Sequence, residues 1–259
     1  MKIATWNING IKARLGQLLY WLKKSDPDVT CLQEIKCLDE LFPITAFVDA
    51  GYHIETHGQR GFNGVALISK FPLTDVVRGL PGDNMDQQAR YIEAVATHPN
   101  AKFRVASIYL PNGNPTGTAK FSYKIAWIKR LEDHAKRLLE LEESTILAGD
   151  FNIIPEVSDC YSAEAWVDDA LYHPVCRLAF RRLKNLGYND ALRACNPNNE
   201  VYTFWDYKSG SWSKNNGVRI DHIMLSPQAT DRLMFSDIDK YMRSQDRPSD
   251  HAPVYVKLT

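Results

Sequence analysis

Eight short β-branched runs constrain this chain more than any other feature. Each is bordered by turn residues, and most lead straight into or out of a polar side chain. They are Lys2–Trp6, Val29–Leu32, Gly64–Ser69, Tyr91–Thr97, Phe103–Tyr109, Thr145–Ala148, Arg219–Leu225 and Ala252–Leu258. Three stretches carry helical spacing instead. Leu15, Leu18, Leu19 and Leu22 fall at i, i+3, i+4, i+7. From about Lys120 to Glu142, apolar Ile125, Ile128, Ala135 and Leu138 oppose a charged face. The third opens at Pro174 and stops near Gly187, residues favoured at those helix ends. Many strands with few helices predict an α/β sandwich, with mainly antiparallel sheets packed face to face and helices outside. No GxGxxG and no GxxxxGK[ST] follows a strand, which disfavours a doubly wound nucleotide fold.

With 259 residues and neither a linker nor a short-period repeat, the simplest expectation is one catalytic domain spanning 1–259. Hydrophobic residues at 44% and charged residues at 24% argue against global disorder. The 31 basic and 31 acidic residues balance, so a protein that merely coats nucleic acid is disfavoured. An enzyme is not, since carboxylates of a metal site can offset a basic binding face. Cys31, Cys37, Cys160, Cys176 and Cys195 are odd in number and contain no CxxC pair. They suit a reducing cytoplasm better than a disulfide framework or a zinc site. The start, MKIATWNING, is too polar for a signal segment, and no apolar run approaches the length of a membrane span. A cytoplasmic monomer is the expectation.

The polar residues at the strand ends carry the chemistry. Lys2–Trp6 runs into Asn7-Ile8-Asn9, and Val29–Leu32 into Gln33-Glu34. The fifth run ends at Tyr109 before Leu110-Pro111-Asn112, and Thr145–Ala148 runs into Gly149-Asp150-Phe151-Asn152. Asp221 lies near the start of a strand, and Asp250-His251 precedes the last one. Gathered on one rim, these groups fit metal-assisted phosphoryl chemistry. Mg²⁺ takes oxygen ligands and keeps several waters, so Glu34 and Asp250 with an amide oxygen from Asn7 or Asn9 suffice, and Mn²⁺ should substitute. Asp150 is the candidate base for water. Asn152, two residues on, points to the same face of an extended backbone. His251, held protonated by a carboxylate such as Asp221, would meet developing negative charge.

At these residues the sequence resembles the exonuclease III family of DNA-repair nucleases, which are also apurinic/apyrimidinic endonucleases. The matching stretches are WNINGIKAR, DVTCLQEIK, GFNGVALISK, IYLPNG, ILAGDFNI, YTFWDY, NNGVRIDHIMLS and SDHAPV. They occur in the family's order across nearly the whole chain. The resemblance implies a four-layered, DNase-I-like α/β sandwich acting on damaged double-stranded DNA. It makes Glu34 the main metal ligand, with Asn7 and Asn9 in the same site and Asp250 as a further ligand. It makes Asp150 the activator of water, and Asn152 the residue that orients phosphate and stabilises the transition state. Tyr109 becomes a phosphate-contacting catalytic tyrosine, and Asp221 with His251 the carboxylate–imidazole pair. Asn112 falls in the substrate loop. Phe204, Trp205, Val218 and Ile220 align with the apolar pocket for a flipped-out, base-less sugar, which is cheap to extrude because little stacking is lost.

The stretch from Gly113 to Gly117 lacks an arginine that some members push into the DNA groove, so backbone charge must come from residues such as Arg60, Lys120, Lys214 and Arg219. Inositol-phosphate phosphatases and sphingomyelinases share the superfamily. The short loops and the YTFWDY and GVRIDH stretches favour the repair branch. A non-catalytic descendant predicts an eroded site, whereas every residue named above is present. Within repair, the alternative is a specialised 3′-phosphatase and exonuclease lacking abasic-site incision. The rim segment Asp168–Val175, with Tyr172 and His173, is where sterics would decide between the two.

Overall fold

The computed structural model describes residues 1–99, 101–197 and 200–259. Two six-stranded sheets form its centre. The first contains β1 (Lys2–Asn7), β2 (Val29–Gln33), β3 (His53–His57), β4 (Val65–Ser69), β11 (Leu233–Ile238) and β12 (Val254–Leu258), in the order β11-β12-β1-β2-β4-β3. The second contains β5 (Leu73–Arg78), β6 (Tyr91–His98), β7 (Ala101–Tyr109), β8 (Thr145–Asp150), β9 (Asn189–Asp190) and β10 (Asp221–Leu225), in the order β5-β6-β7-β8-β10-β9. Helices are α1 (Ile11–Ser25), α2 (Ile44–Val48), α3 (Ala119–Leu139), α4 (Pro174–Asn185), α5 (Ala191–Cys195) and α6 (Pro227–Thr230).

Both sheets repeat one plan. A parallel pair joined by a long helix sits at the middle, with antiparallel strands on either side. In the first sheet α1 carries the chain from β1 to the parallel β2, and in the second α3 carries it from β7 to the parallel β8. A parallel pair requires such a crossover, which also brings both strands' C-terminal ends to the same edge. Asn7 therefore pairs with Gln33, next to Glu34, and Tyr109 with Asp150. Antiparallel β10 sets Asp221 opposite Asp150.

Ile3, Val29, Cys31, Val65 and Leu67 of the first sheet share a core with Ile92, Phe103, Val105, Ile146 and Ile223 of the second. Outside, α1 buries Leu18, Trp21 and Leu22 against the first sheet, while α3 and α4 bury Trp127, Leu131, Phe180 and Leu183 against the second. The result is the expected α/β/β/α sandwich. Polar links cross its middle beneath one edge. Gln33 donates to Ser107 Oγ at 2.9 Å and to Thr5 Oγ1 at 3.0 Å, and Ser107 donates to Leu32 O at 2.8 Å. Buried hydrogen bonds of this kind are directional, so they fix how the sheets slide relative to each other. No helix among the described residues is long and apolar enough to cross a membrane.

The eight expected runs are strands, three of them starting late, Gly64 lying one residue before β4. Arg219 precedes β10, and Ala252 precedes β12. Edge strands β3, β5, β9 and β11 carry charged or half-exposed residues, so their alternation is weak in the sequence.

Candidate active site

The edge where both parallel pairs end opens into a cavity of about 320 Å³. Glu34, Tyr109, Asn112, Asp150, Asn152, Asp250, His251, Phe204 and Ile220 line it. Three of the strand exits turn sharply there. Asn9, Glu34 and Asn152 hold φ of 48°, 53° and 46°, in the left-handed region that non-glycine residues enter at a cost. The turn after β2 also bonds to the turn after β1, with Gly10 N donating to Glu34 O at 2.7 Å.

Asn7 ties the two sheets' carboxylates together. Its Nδ2 donates to Glu34 Oε1 at 2.8 Å and to Asp150 Oδ2 at 3.0 Å. Asn9 Nδ2 donates to Asp250 Oδ1 at 3.0 Å. The amide oxygens are engaged elsewhere, that of Asn7 by the Asn9 N–H and that of Asn9 by Lys36 Nζ. Both asparagines thus orient carboxylates by donating to them through Nδ2. The Glu34 carboxyl sits below the usual range; burial raises it, and hydrogen bonds from Lys36 and Asn7 outweigh that. Tyr109 is held well above the usual phenol value, first by burial and then by the Glu34 and Asp150 carboxylates.

Asp150 caps the turn that follows it, with Oδ1 accepting from Asn152 N at 2.9 Å. Burial pushes its carboxyl up to about 7, with Asp221 adding and His251 opposing. His251 Nδ1 lies 2.8 Å from Asp221 Oδ2, and its Nε2 lies 3.8 Å from Asp150 Oδ2. Burial alone would lower this imidazole, but the Asp221 contact lifts it to about 10. Thr203 Oγ1 accepts from Ile220 N and Asp221 N, each at 3.1 Å, so the start of β10 is anchored as well. The C-terminal side is pinned by Ser249 Oγ donating to Asn7 O at 2.6 Å and Trp6 Nε1 donating to His251 O at 3.1 Å.

Glu34 and Asp250 both line this cavity and carry the hard carboxylate oxygens that a divalent cation prefers. Glu34 Oε2 already holds a cationic group, the part-exposed Lys36 ammonium at 2.8 Å. Asp150, Asp221 and His251 are also close enough to share an ion. There the His251 imidazolium, 2.8 Å from Asp221 and 3.8 Å from Asp150, already offsets part of the carboxylates' charge.

Six expected substrate residues lie elsewhere. Trp205 is fully buried, with its ring against Trp212 and its Nε1 donating to Asn215 Oδ1 at 3.2 Å. Val218 is buried behind Phe204, paired with it through backbone bonds. Both are support for the cavity wall rather than its surface. Arg219 is the clearest correction. It is buried between Asp159, at 2.7 Å, and Asp190, at 2.7 Å, and cannot reach a DNA backbone. Arg60, Lys120 and Lys214 are exposed and outside the cavity lining.

The sequence reading missed Asn114, Trp166, Asp169, Leu171 and Asp206, which also line the cavity. Asp169 and Leu171 do belong to the anticipated rim segment. Tyr172 and His173 do not line the cavity: Tyr172 packs under Arg177, and His173 caps α4 by accepting from Val175 N at 3.3 Å. The Asn112-Gly113-Asn114 turn was the available signal, because Asn114 Nδ2 donates to Asp169 at 3.0 Å and draws the rim in.

A sandwich with these side chains on one edge defines a class of hydrolases, and residues 4–251 match the Endonuclease/Exonuclease/phosphatase family. The chain is 34% identical to the exodeoxyribonuclease III of Haemophilus influenzae, over 100% of both chains. It is 30% identical to the DNA repair nuclease APEX1 of Danio rerio, covering 100% of this chain and 82% of that one. Among solved structures, the 3′ phosphatase NExo from Neisseria, bound to a product DNA hairpin, superposes with a TM-score of 0.95 at 35% identity, over 100% of this chain and 99% of that one. An AP endonuclease from Archaeoglobus fulgidus gives 0.94 at 33%, with the same coverage. The chain belongs to the exonuclease III family.

Proposed function

We propose that this protein is a Mg²⁺-dependent DNA-repair phosphodiesterase. It hydrolyses the backbone 5′ to abasic sites and trims blocked 3′ ends, leaving a 3′-hydroxyl for base excision repair. The observation that carries this is the meeting of Glu34, Asp250, Asp150, Asn152, Tyr109 and the Asp221–His251 pair in one cavity. The relatives' printed activities on DNA support the choice of substrate.

Glu34 and Asp250 would hold the ion, with Mn²⁺ able to replace Mg²⁺. When bound, it supplies Lewis acidity at the phosphoryl and leaving oxygens and favours an ionised Asp150. Asp150 takes a proton from the attacking water. Asn152 Nδ2 and the Tyr109 hydroxyl donate toward phosphate oxygens. The His251 imidazolium, fixed by Asp221, meets the charge that grows on phosphorus-bound oxygen. Phe204, Ile220, Leu171 and Trp166 form the apolar wall against which a base-less sugar rests, and the loss of stacking at such a site lowers the cost of flipping it. Arg60, Lys120 and Lys214 are free to meet the DNA backbone. The five free thiols fit the reducing cytoplasm, and one chain supplies the whole site, so it acts there as a monomer.

The test is a duplex oligonucleotide with one abasic site, alongside one with a recessed 3′-phosphate, both in Mg²⁺. Cleavage of both is expected. Leu171 and Trp166 in the wall favour a second reading, a 3′-end enzyme that excludes abasic sites within duplex. Processing of the 3′-phosphate alone would select it. No reaction on either DNA by folded protein would remove the DNA assignment.

A further inference from the structure

Helix α3 buries a stripe of Trp127, Ile128, Leu131, Ala135 and Leu138, and at its N-terminal end the stripe contains a lysine. Lys124 is fully buried. Among the described residues, no carboxylate lies within ion-pairing distance of its ammonium. Removing a charge from water without a counterion is costly unless its donors are used. They are used on the cavity's own loops. Lys124 Nζ donates to Asn112 O at 2.9 Å and to Asn152 O at 2.6 Å. Burial pushes this lysine down to about 8, with Cys176, Asp150 and Asp169 opposing.

Those two carbonyls belong to separate connections, one leaving β7 and the other leaving β8. Their side chains meet inside the cavity, where Asn112 Nδ2 donates to Asn152 Oδ1 at 3.3 Å. Asn152 Nδ2 in turn donates to Leu110 O at 2.9 Å. Asn152 holds this pose with φ of 46°, a backbone state that needs restraint from outside. The loop is also shaped to the lysine stem. Gly113 has φ of 86°, and a Cβ there would stand 2.5 Å from Lys124 Cδ.

We infer that Lys124 is a positioning residue for hydrolysis, clamping the Asn112 and Asn152 loops together so that the Asn152 amide faces the reacting phosphate. This rests on the phosphodiesterase reading above. Wild-type cleavage of the abasic or 3′-phosphate duplex is therefore the control that separates failure of that reading from failure of this one.

Lys124→Met keeps the stem and removes every donor. The expected result is a fall in kcat of about tenfold to a hundredfold with KM within about threefold, since the lost effect is on geometry in the transition state. Lys124→Arg should recover part of it. In an Asn152→Ala background the same Lys124 change should add little, because residues acting as one unit are non-additive. Gly113→Ala, which crowds the lysine from the loop side, should reproduce the kcat loss and serves as the test if Lys124→Met does not fold. Wild-type kcat in both Lys124→Met and Gly113→Ala, or full additivity with Asn152→Ala, overturns the inference.

Discussion

Asp221 stands directly across the β8–β10 pair from Asp150, yet the two carboxylates do not face each other alone: His251 lies between them, at 2.8 Å from Asp221 and 3.8 Å from Asp150. Two like charges so close would drive one carboxylate to protonate. The His251 imidazolium offsets part of this repulsion, while burial and Asp221 still keep the Asp150 carboxyl raised. Asp221 therefore holds in place the charge that the proposed mechanism uses.

Asp221→Asn should lower kcat by about a hundredfold or more, as expected for removing one preorganised electrostatic element. Steady-state rates on the DNA substrate check this. Asp221→Glu, which keeps the charge, should retain more activity than the amide.

Trp205 and Phe204 adjoin in sequence but should fail in different ways. Trp205→Ala removes a fully buried ring and should cost about 3–5 kcal/mol of stability in urea denaturation. Phe204→Ala strips a cavity wall that rests against His251, with ring centroids 4.9 Å apart. It should lower kcat/KM on abasic DNA by about tenfold or more with a smaller stability loss.

How far the sequence foretold this site depends on where each side chain's partner lies. The parallel pairs could be read from β-branched runs separated by helical spacing, and the carboxylates from their place at strand ends. Tyr109, Asp150 and Asp221 follow from that pattern because sheet register carries them to one edge. Arg219 could not be read, since its two partners, Asp159 in a short helical turn and Asp190 on edge strand β9, are far away in sequence and nothing local marks it as buried. Lys124 was hidden for a related reason. Helical periodicity sorts lysine to the outside, and only the tertiary approach of two carbonyls explains its place. Trp166 and Leu171 lie in a stretch whose path is set by rim contacts such as Asn114 with Asp169.

Arg219 supports a prediction about acid stability. Asp159 and Asp190 both sit below the usual carboxylate value; burial opposes this, and Arg219 overrides it. The unfolded chain therefore takes up protons at these groups before the folded one does. Their contribution is complete above the unfolded carboxylate values and is lost as pH falls through the lower folded ones. Arg219→Met leaves buried Asp190 without its arginine and Asp159 with Arg193 alone, and should cost about 3–5 kcal/mol at neutral pH. Urea denaturation between neutral and acidic pH measures both effects. The salt dependence of DNA binding should not change in any folded fraction of this variant.

Chelation should separate fold from function. Glu34, Asp150 and Asp250 are already satisfied by Lys36, Asn7 and Asn9 without an ion. EDTA should therefore abolish cleavage while circular dichroism and cooperative melting persist. Glu34→Gln should raise the Mg²⁺ concentration needed for half-maximal rate.

Single-turnover cleavage by the wild type and Asp150→Asn, at saturating Mg²⁺ and with DNA binding measured in parallel, tests the central claim most directly. A base at Asp150 predicts a rate loss of about a hundredfold or more with DNA affinity retained. Cleavage by Asp150→Asn at the wild-type rate would contradict it.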